Sequence, residues 1–160
     1  MEFKLIDLEI PKETNIILGQ SHFIKTVEDV YEALASSAAS IKFGIAFCEA
    51  SGECLIRHDG NDDDLIKIAI DNALKLGCGH SFNIILKNAY PINVLTQLKA
   101  VPEICAIYAA TANPLQVIIV ESEQGRGILG VIDGNKSKGV EDEEGVKWRK
   151  NFLKKIGYKT

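Results

Sequence analysis

The sequence has no surplus of positive charge: 18 lysines and arginines stand against 22 aspartates and glutamates, for a formal net charge of -4 and a pI near 5.4. A nucleic-acid partner requires a basic footprint, so that class is excluded as the main partner. Long apolar runs are missing too. None approaches the length of a membrane span, and the N-terminus lacks the basic start, apolar run and cleavage site of a secretory signal, so the expectation is a cytoplasmic protein with no membrane partner. The four cysteines, Cys48, Cys54, Cys78 and Cys105, form no C-x-x-C and lack zinc-site spacing, which leaves them as thiols of the fold. Also absent are G-x-x-x-x-G-K-[ST], G-x-S-x-G, H-E-x-x-H and the kinase catalytic-loop triplet, so the common routes to phosphate binding and hydrolysis are closed.

What is present is enough apolar residue, 46% of 160, to bury the core of one domain. "FKLIDLEI" (Phe3 to Ile10) alternates at the strand period, and "NIIL" (Asn15 to Leu18) is a short second strand. Val27, Val30, Tyr31 and Leu34 fall at helical spacing, which predicts a helix from about Val27 to Ala38 with Thr26 as its N-cap. "KFGIAFCEA" and "ECLIRHDG" read as a hairpin about Ser51-Gly52. "NDDDLIKIAIDNALKLG" reads as a helix opened by acids and closed by Gly77. "HSFNIILK" is a buried strand, and "YPINVLTQLKAV" a helix with Pro91 in its first turn. "ICAIYAAT", "LQVIIVES" and "ILGVID" are strands, and a last helix covers Asp142 to Ile156. Hairpins mixed among crossover helices predict a single α/β domain: a mixed β-sheet with covering helices, not a purely parallel doubly wound one.

Gly125-Arg126-Gly127-Ile128-Leu129-Gly130 is a literal G-x-G-x-x-G, but a dinucleotide fingerprint needs a helix after the glycines and here a strand follows. The segment reads as a glycine-rich hairpin bend. Its backbone N–H groups and the Arg126 guanidinium, flanked by Gly125 and Gly127, suit a phosphate. "GQSHFIKT" gathers Gln20, Ser21, His22 and Lys25 before a helix N-terminus, where polar groups converge on an anion. "GCGHSF" places His80 at the start of a strand behind two glycines. His58 lies beside the acids between Asp59 and Asp64; these acids suit Mg²⁺ through carboxylates and water, but a helix cap accounts for them more cheaply, so no metal site is assigned. In "YAATANP", Thr111 and Asn113 have the groups to read a base or ribose, while Tyr108 or Phe23 has the ring to stack on one.

Together "GQSHFIKTVEDVYEAL", "KFGIAFCEASGECLIRHDGND", "GCGHSF", "PINVLTQLKAVPEI", "IYAATANPLQVI" and "EQGRGILGVIDG" resemble the adenosine-specific kinase family, small proteins found mainly in archaea and some bacteria. The resemblance implies an α/β protein that binds adenosine or AMP and transfers a phosphoryl group to the nucleoside, with histidine phosphorylation as an intermediate. It points to His22, His80, Asn113 and Arg126 as functional positions and to a homo-oligomer, a trimer being one such state. The expected pocket joins "GQSHF", "GHSF", "TANP" and "EQGRG", with the 5′ end of adenosine facing Arg126 and Lys25. His22 is the preferred base or phosphate acceptor, because Lys25 and a helix N-terminus lie beside it. Mg²⁺ would arrive with a nucleotide phosphoryl donor, and no tightly bound cofactor is expected. The rival class is a non-catalytic adenosine- or AMP-sensing protein that uses the same pocket.

Overall fold

The computed structural model describes residues 1–160 as eight strands and four helices. In chain order they are β1 (Glu2–Asp7), β2 (Asn15–Ser21), α1 (Thr26–Ala35), β3 (Lys42–Cys48), β4 (Ile56–Gly60), α2 (Asp63–Leu76), β5 (Ser81–Lys87), α3 (Pro91–Lys99), β6 (Ile104–Thr111), β7 (Leu115–Glu121), β8 (Arg126–Asp133) and α4 (Glu143–Lys155). The α/β class, the hairpins and the covering helices are as the sequence predicts. The strands, however, divide between two sheets, β4-β3-β5-β2-β6 and β1-β7-β8, and every pairing is antiparallel.

The reason lies in strand insertion. Crossover helix α1 makes β2 and β3 parallel to each other, but β5 lies between them; α3 does the same for β5 and β6, with β2 between. Two split β-α-β units therefore interleave, and no two parallel strands touch. Helices α1 and α3 share one face of the larger sheet, over Ile17, Phe43, Ile45, Phe47, Phe82 and Ile84. The opposite face carries α2 beside the smaller sheet, over Ile16, Leu18, Ala46, Ile85 and Ala109. Gly44 is required where α2 crosses β3: a Cβ there would lie 2.3 Å from the backbone of Leu65 and Ile66.

Local signals explain most helix ends. The Asp62 side chain accepts from Leu65 N–H at 3.1 Å and Gly77 ends α2 in the left-handed conformation, while Asp142 accepts from Gly145 N–H at 2.8 Å to open α4. Helix α1 differs from its expectation. Lys25 occupies the N-cap position and Thr26 is the first helical residue, because the buried Thr26 hydroxyl donates to the Phe23 carbonyl at 2.5 Å and lies 2.8 Å from Ser21 Oγ. That hydroxyl fastens the preceding loop rather than capping the helix. No helix is long and apolar enough to cross a membrane.

Candidate functional site

Because the strands of the larger sheet are antiparallel, the end of β2 adjoins the starts of β5 and β6. Ser21 N–H donates to His80 O at 3.0 Å, and His22 N–H donates to Glu103 O at 3.1 Å. "GQSHF" and "GHSF" thus meet along their backbones. His80 N–H donates to Cys48 O at 2.7 Å, which draws in the end of β3, and His80 holds a left-handed φ of 63°. A non-glycine residue pays strain for that conformation, and such strain collects at functional positions. The His80 ring lies nearly parallel to Phe47, with centroids 5.8 Å apart; the exposed His22 ring lies beside Phe23 at 6.5 Å.

The β7–β8 hairpin reaches the same end from the α2 side. Its bend closes with Ser122 N–H donating to Gly125 O at 2.9 Å, and β8 begins at Arg126, so the glycine motif is a hairpin bend. Arg126 Nη1 donates to the carbonyls of Lys75 and Leu76, at 3.3 Å each, and Nε lies 3.3 Å from Glu121 Oε1. The guanidinium therefore caps the C-terminus of α2. Of its five donors, the two on Nη2 have no protein partner and are left for an anion. Glu121 also pairs with Lys4; that bond first, and Arg126 second, hold its carboxyl below the usual range.

Two cavities open beside Arg126. The larger, 470 Å³, is lined by Cys48, Glu49, Gly79, Gln124 and Gly125 among others; the smaller, 120 Å³, takes Gln20, Cys78, Gly79, Ser81 and Gly127. Tyr108 O–H donates to Gln20 Oε1 at 2.6 Å, which fixes Gln20 at the wall of the smaller one. Burial, with Cys48 nearby, pushes the Cys78 thiol up to about 11, so it stays a neutral wall near neutral pH. Neither histidine lines these cavities, but His80 directly follows Gly79, which lines both.

Lys25 belongs to the α1 side of this end. Its ammonium lies 3.1 Å from Asp29 and 3.7 Å from Glu103. The hydrogen bond to Asp29, foremost, raises the Lys25 pKa, and the same bond lowers that of Asp29. Glu103 is buried, and its Oε2 has no hydrogen-bond partner. Lys25 is thus a fixed cation within a carboxylate pair, and it does not line the Arg126 cavities.

Thr111 and Asn113 fall elsewhere. Thr111 stands opposite Ile16 in the register while Ala106 stands opposite Gln20, so four residues of β2, about 13 Å at ~3.3 Å per residue, separate the two sites. Thr111 Oγ1 and Asn113 Nδ2 both donate to Asp133 Oδ1, at 2.8 and 3.2 Å. They line the largest cavity, 790 Å³, whose other walls include Asn15, Tyr90, Phe152 and Tyr158. Three of the four expected segments gather within one chain, and "TANP" lies beyond them.

The profile described as Adenosine specific kinase matches residues 6–159. The chain belongs to the adenosine specific kinase family. The crystal structure of PH1918 protein from Pyrococcus horikoshii OT3 is similar to it, with a TM-score of 0.96 and 46% identity over 99% of this chain and 98% of that one. None of the curated proteins matches the chain. In this adenosine specific kinase family member, sequence reasoning missed Glu103, Glu121, Asn15 and the aromatic rings about the largest cavity. Glu103 could have been suspected, since it is the one charged residue between Lys99 and Glu121 and directly precedes β6. Asn15, Phe152 and Tyr158 carry no local signal, because only the fold brings them together. No group of three or more His, Cys, Asp or Glu side chains is placed to hold a metal ion, and His58 is exposed.

Proposed function

We propose that this chain binds adenosine or AMP and transfers a phosphoryl group to the nucleoside at the Arg126 end of the larger sheet. The observation that carries the reading is the Arg126 guanidinium: anchored on α2 and Glu121, it keeps two donors free at a pair of cavities next to His80 and Gln20. An anchored guanidinium loses little freedom when it takes up a phosphate, and phosphoryl transfer rests mainly on such positioning. Gly125 and Gly127 keep the hairpin side of the cavities open, and Gln20 and Tyr108 hold the opposite wall.

We take His80 as the base or phosphate acceptor, since its backbone adjoins Gly79 at both cavities and holds a strained left-handed φ; its ring lies over Phe47, and His22, Phe23 and Lys25 stand on the α1 side of the same sheet end. As nucleophile, a histidine nitrogen would take the phosphoryl group from a triphosphate donor, releasing the diphosphate, and pass it to the 5′ oxygen as that hydroxyl loses its proton. Mg²⁺ would enter with the donor and neutralise its phosphate charge.

The same reading includes a homo-oligomer. The smaller sheet is apolar on both faces: Val117 and Ile119 are buried within, while Phe3, Leu5, Leu129 and Ile132 lie exposed on the strands. A sheet patterned for two covered faces calls for a second copy, and a trimer is the state we propose. Sedimentation of wild type and Leu129→Asp checks it; an unchanged assembly in the variant removes this face from the interface.

The activity is tested by incubating the protein with adenosine, Mg²⁺ and ATP labelled at the γ-phosphate, then measuring label in AMP and acid-labile label on the protein. Label in AMP that disappears with Arg126→Ala supports the kinase. No label in either place, with adenosine binding by calorimetry, makes the chain a nucleoside sensor.

A further inference from the structure

Of the four helices, α4 alone buries none of its residues. Trp148, Phe152 and Ile156 follow one another at i, i+4 and i+8, so they form one stripe along it, and they are 67%, 45% and 43% exposed. The Trp148 ring lies flat on Phe152, with centroids 5.4 Å apart. An apolar stripe of this kind is patterned to be covered. Charge is segregated in the same way. From Gly134 onward eight lysines and arginines stand against four acids, whereas before it ten stand against eighteen. The ion pairs of α4 are Lys147 with Glu144 and Arg149 with Glu141, which leaves Lys150, Lys154 and Lys155 unpaired.

The countercharge lies on the opposite edge of the larger sheet. Asp59, Asp63 and Asp64, where β4 gives way to α2, are likewise in no ion pair, and the last two are exposed. Gly60 pairs with Gly44, Lys42 with Lys87, Leu86 with Asn15 and Ile16 with Thr111, so the ends of β4 and β6 lie at the same end of the sheet. These are its two outer strands, four spacings of ~4.8 Å or about 19 Å apart. Helix α4 sits at the β6 edge, where Phe152 and Ile156 share a cavity with Ala110, Thr111 and Asn113. Its lysines and those acids are thus held apart within one chain. We propose that α4 is an intermolecular arm, whose aromatic stripe and unpaired lysines dock on the acidic β4–α2 edge of a second copy of this chain. A polyanion such as RNA would have to approach a body in which acids outnumber bases by eight, whereas a second copy presents that acidic body as the partner itself. Contact between two different surfaces is head-to-tail, and it closes into a ring. The inference rests on the homo-oligomer proposed above and adds a contact separate from the smaller-sheet face.

Sedimentation velocity of the intact protein tests this, with acrylamide quenching of Trp148, the only tryptophan, as a second readout. Assembly is expected to weaken between ~0.1 M and ~1 M salt, and Trp148 to become shielded from the quencher as copies associate. Lys150→Glu with Lys154→Glu should weaken assembly about tenfold or more, as should Asp63→Lys with Asp64→Lys. All four positions are exposed, so the fold should survive, and circular dichroism checks that it does. A chain carrying all four substitutions should regain assembly, because opposite charges then meet again at every contact. Assembly that neither charge reversal weakens, a four-substitution chain no better than its two parents, or a Trp148 as accessible in the assembly as in the dilute chain overturns the proposal and leaves the homo-oligomer standing. So does an α4 variant that assembles as wild type but loses binding to RNA or to anionic vesicles. A wild type that remains a single chain at every concentration overturns both readings.

Discussion

The two ends of the larger sheet differ in how their polar groups are used. At the Arg126 end nearly every charged group is already engaged: Arg126 with α2 and Glu121, Lys25 with Asp29 and Glu103, and Glu49 with Arg57 at 3.0 Å. At the α4 end the walls are rings and amides, among them Asn15, Tyr90, Asn113, Phe152 and Tyr158. Helix α4 buries none of its residues. One end is wired and electrostatic; the other is loosely covered and apolar. The lesson is that a preorganised charge array suits developing charge on a phosphoryl group, whereas aromatic walls under a lightly held helix leave apolar surface to be covered.

The largest expected effect is that of Arg126→Ala. It removes the free Nη2 donors and the α2 cap together, so AMP formation should fall about 100-fold or more. The thermal midpoint should drop as well, and Arg126→Lys should restore little, because an ammonium cannot make the forked contact. Rate and melting curves on the three proteins check this; full activity in Arg126→Lys would break the contrast between a wired and an unwired end.

Next come the histidines. Asparagine tolerates the left-handed backbone that His80 holds, so His80→Asn should fold normally and lose acid-labile label, while His22→Gln retains it. The reverse result would move the phosphate acceptor to the α1 side.

Acid should act on the wired end. Glu121 is held below its ordinary range by Lys4 and then Arg126, and Glu49 mainly by the Leu55 N–H. A folded-state pKa below the unfolded one means that these pairs stabilise the fold above the ordinary carboxylate range, near ~4.3, and that the contribution is lost as pH falls through the folded values. Hydrogen exchange should show weaker protection of β8 at pH 3 than at pH 6. Glu121→Gln should remove much of that pH dependence.

The smallest effect belongs to α4. Phe152 is 45% exposed, and Phe152→Ala should cost less than about 1 kcal/mol, which moves the melting midpoint by no more than ~4 °C. A larger loss would mean that α4 is a structural part of the fold, and the loosely covered end would need a different account.

Much of the fold was legible because its signals are local. The Asp62 cap and Gly77 stop bracket α2, and a strand after Gly127 excludes a dinucleotide turn. The candidate site was legible only in pieces. "GQSHF", "GHSF" and "EQGRG" do converge, yet "TANP" ends β6 on the far side of Gln20, and no spacing in the chain reveals that. The Thr26 hydroxyl looked like a helix cap but serves Phe23 and Ser21, since a side chain with two local acceptors in reach takes the geometry that the loop permits.

By itself the sequence determined the order and kind of its elements, the absence of a nucleotide loop and the residue types available for phosphate chemistry, because these depend on neighbours within a few positions. The tertiary structure alone decided that β5 would enter between β2 and β3, that Arg126 would be tied to α2 and Glu121, and that Asn15 would share a cavity with Phe152 of α4. Those outcomes join residues from 5 to 137 positions apart (Arg126 to Glu121; Asn15 to Phe152). They are chosen by which apolar faces can be buried together, a property of the whole chain and of no segment within it.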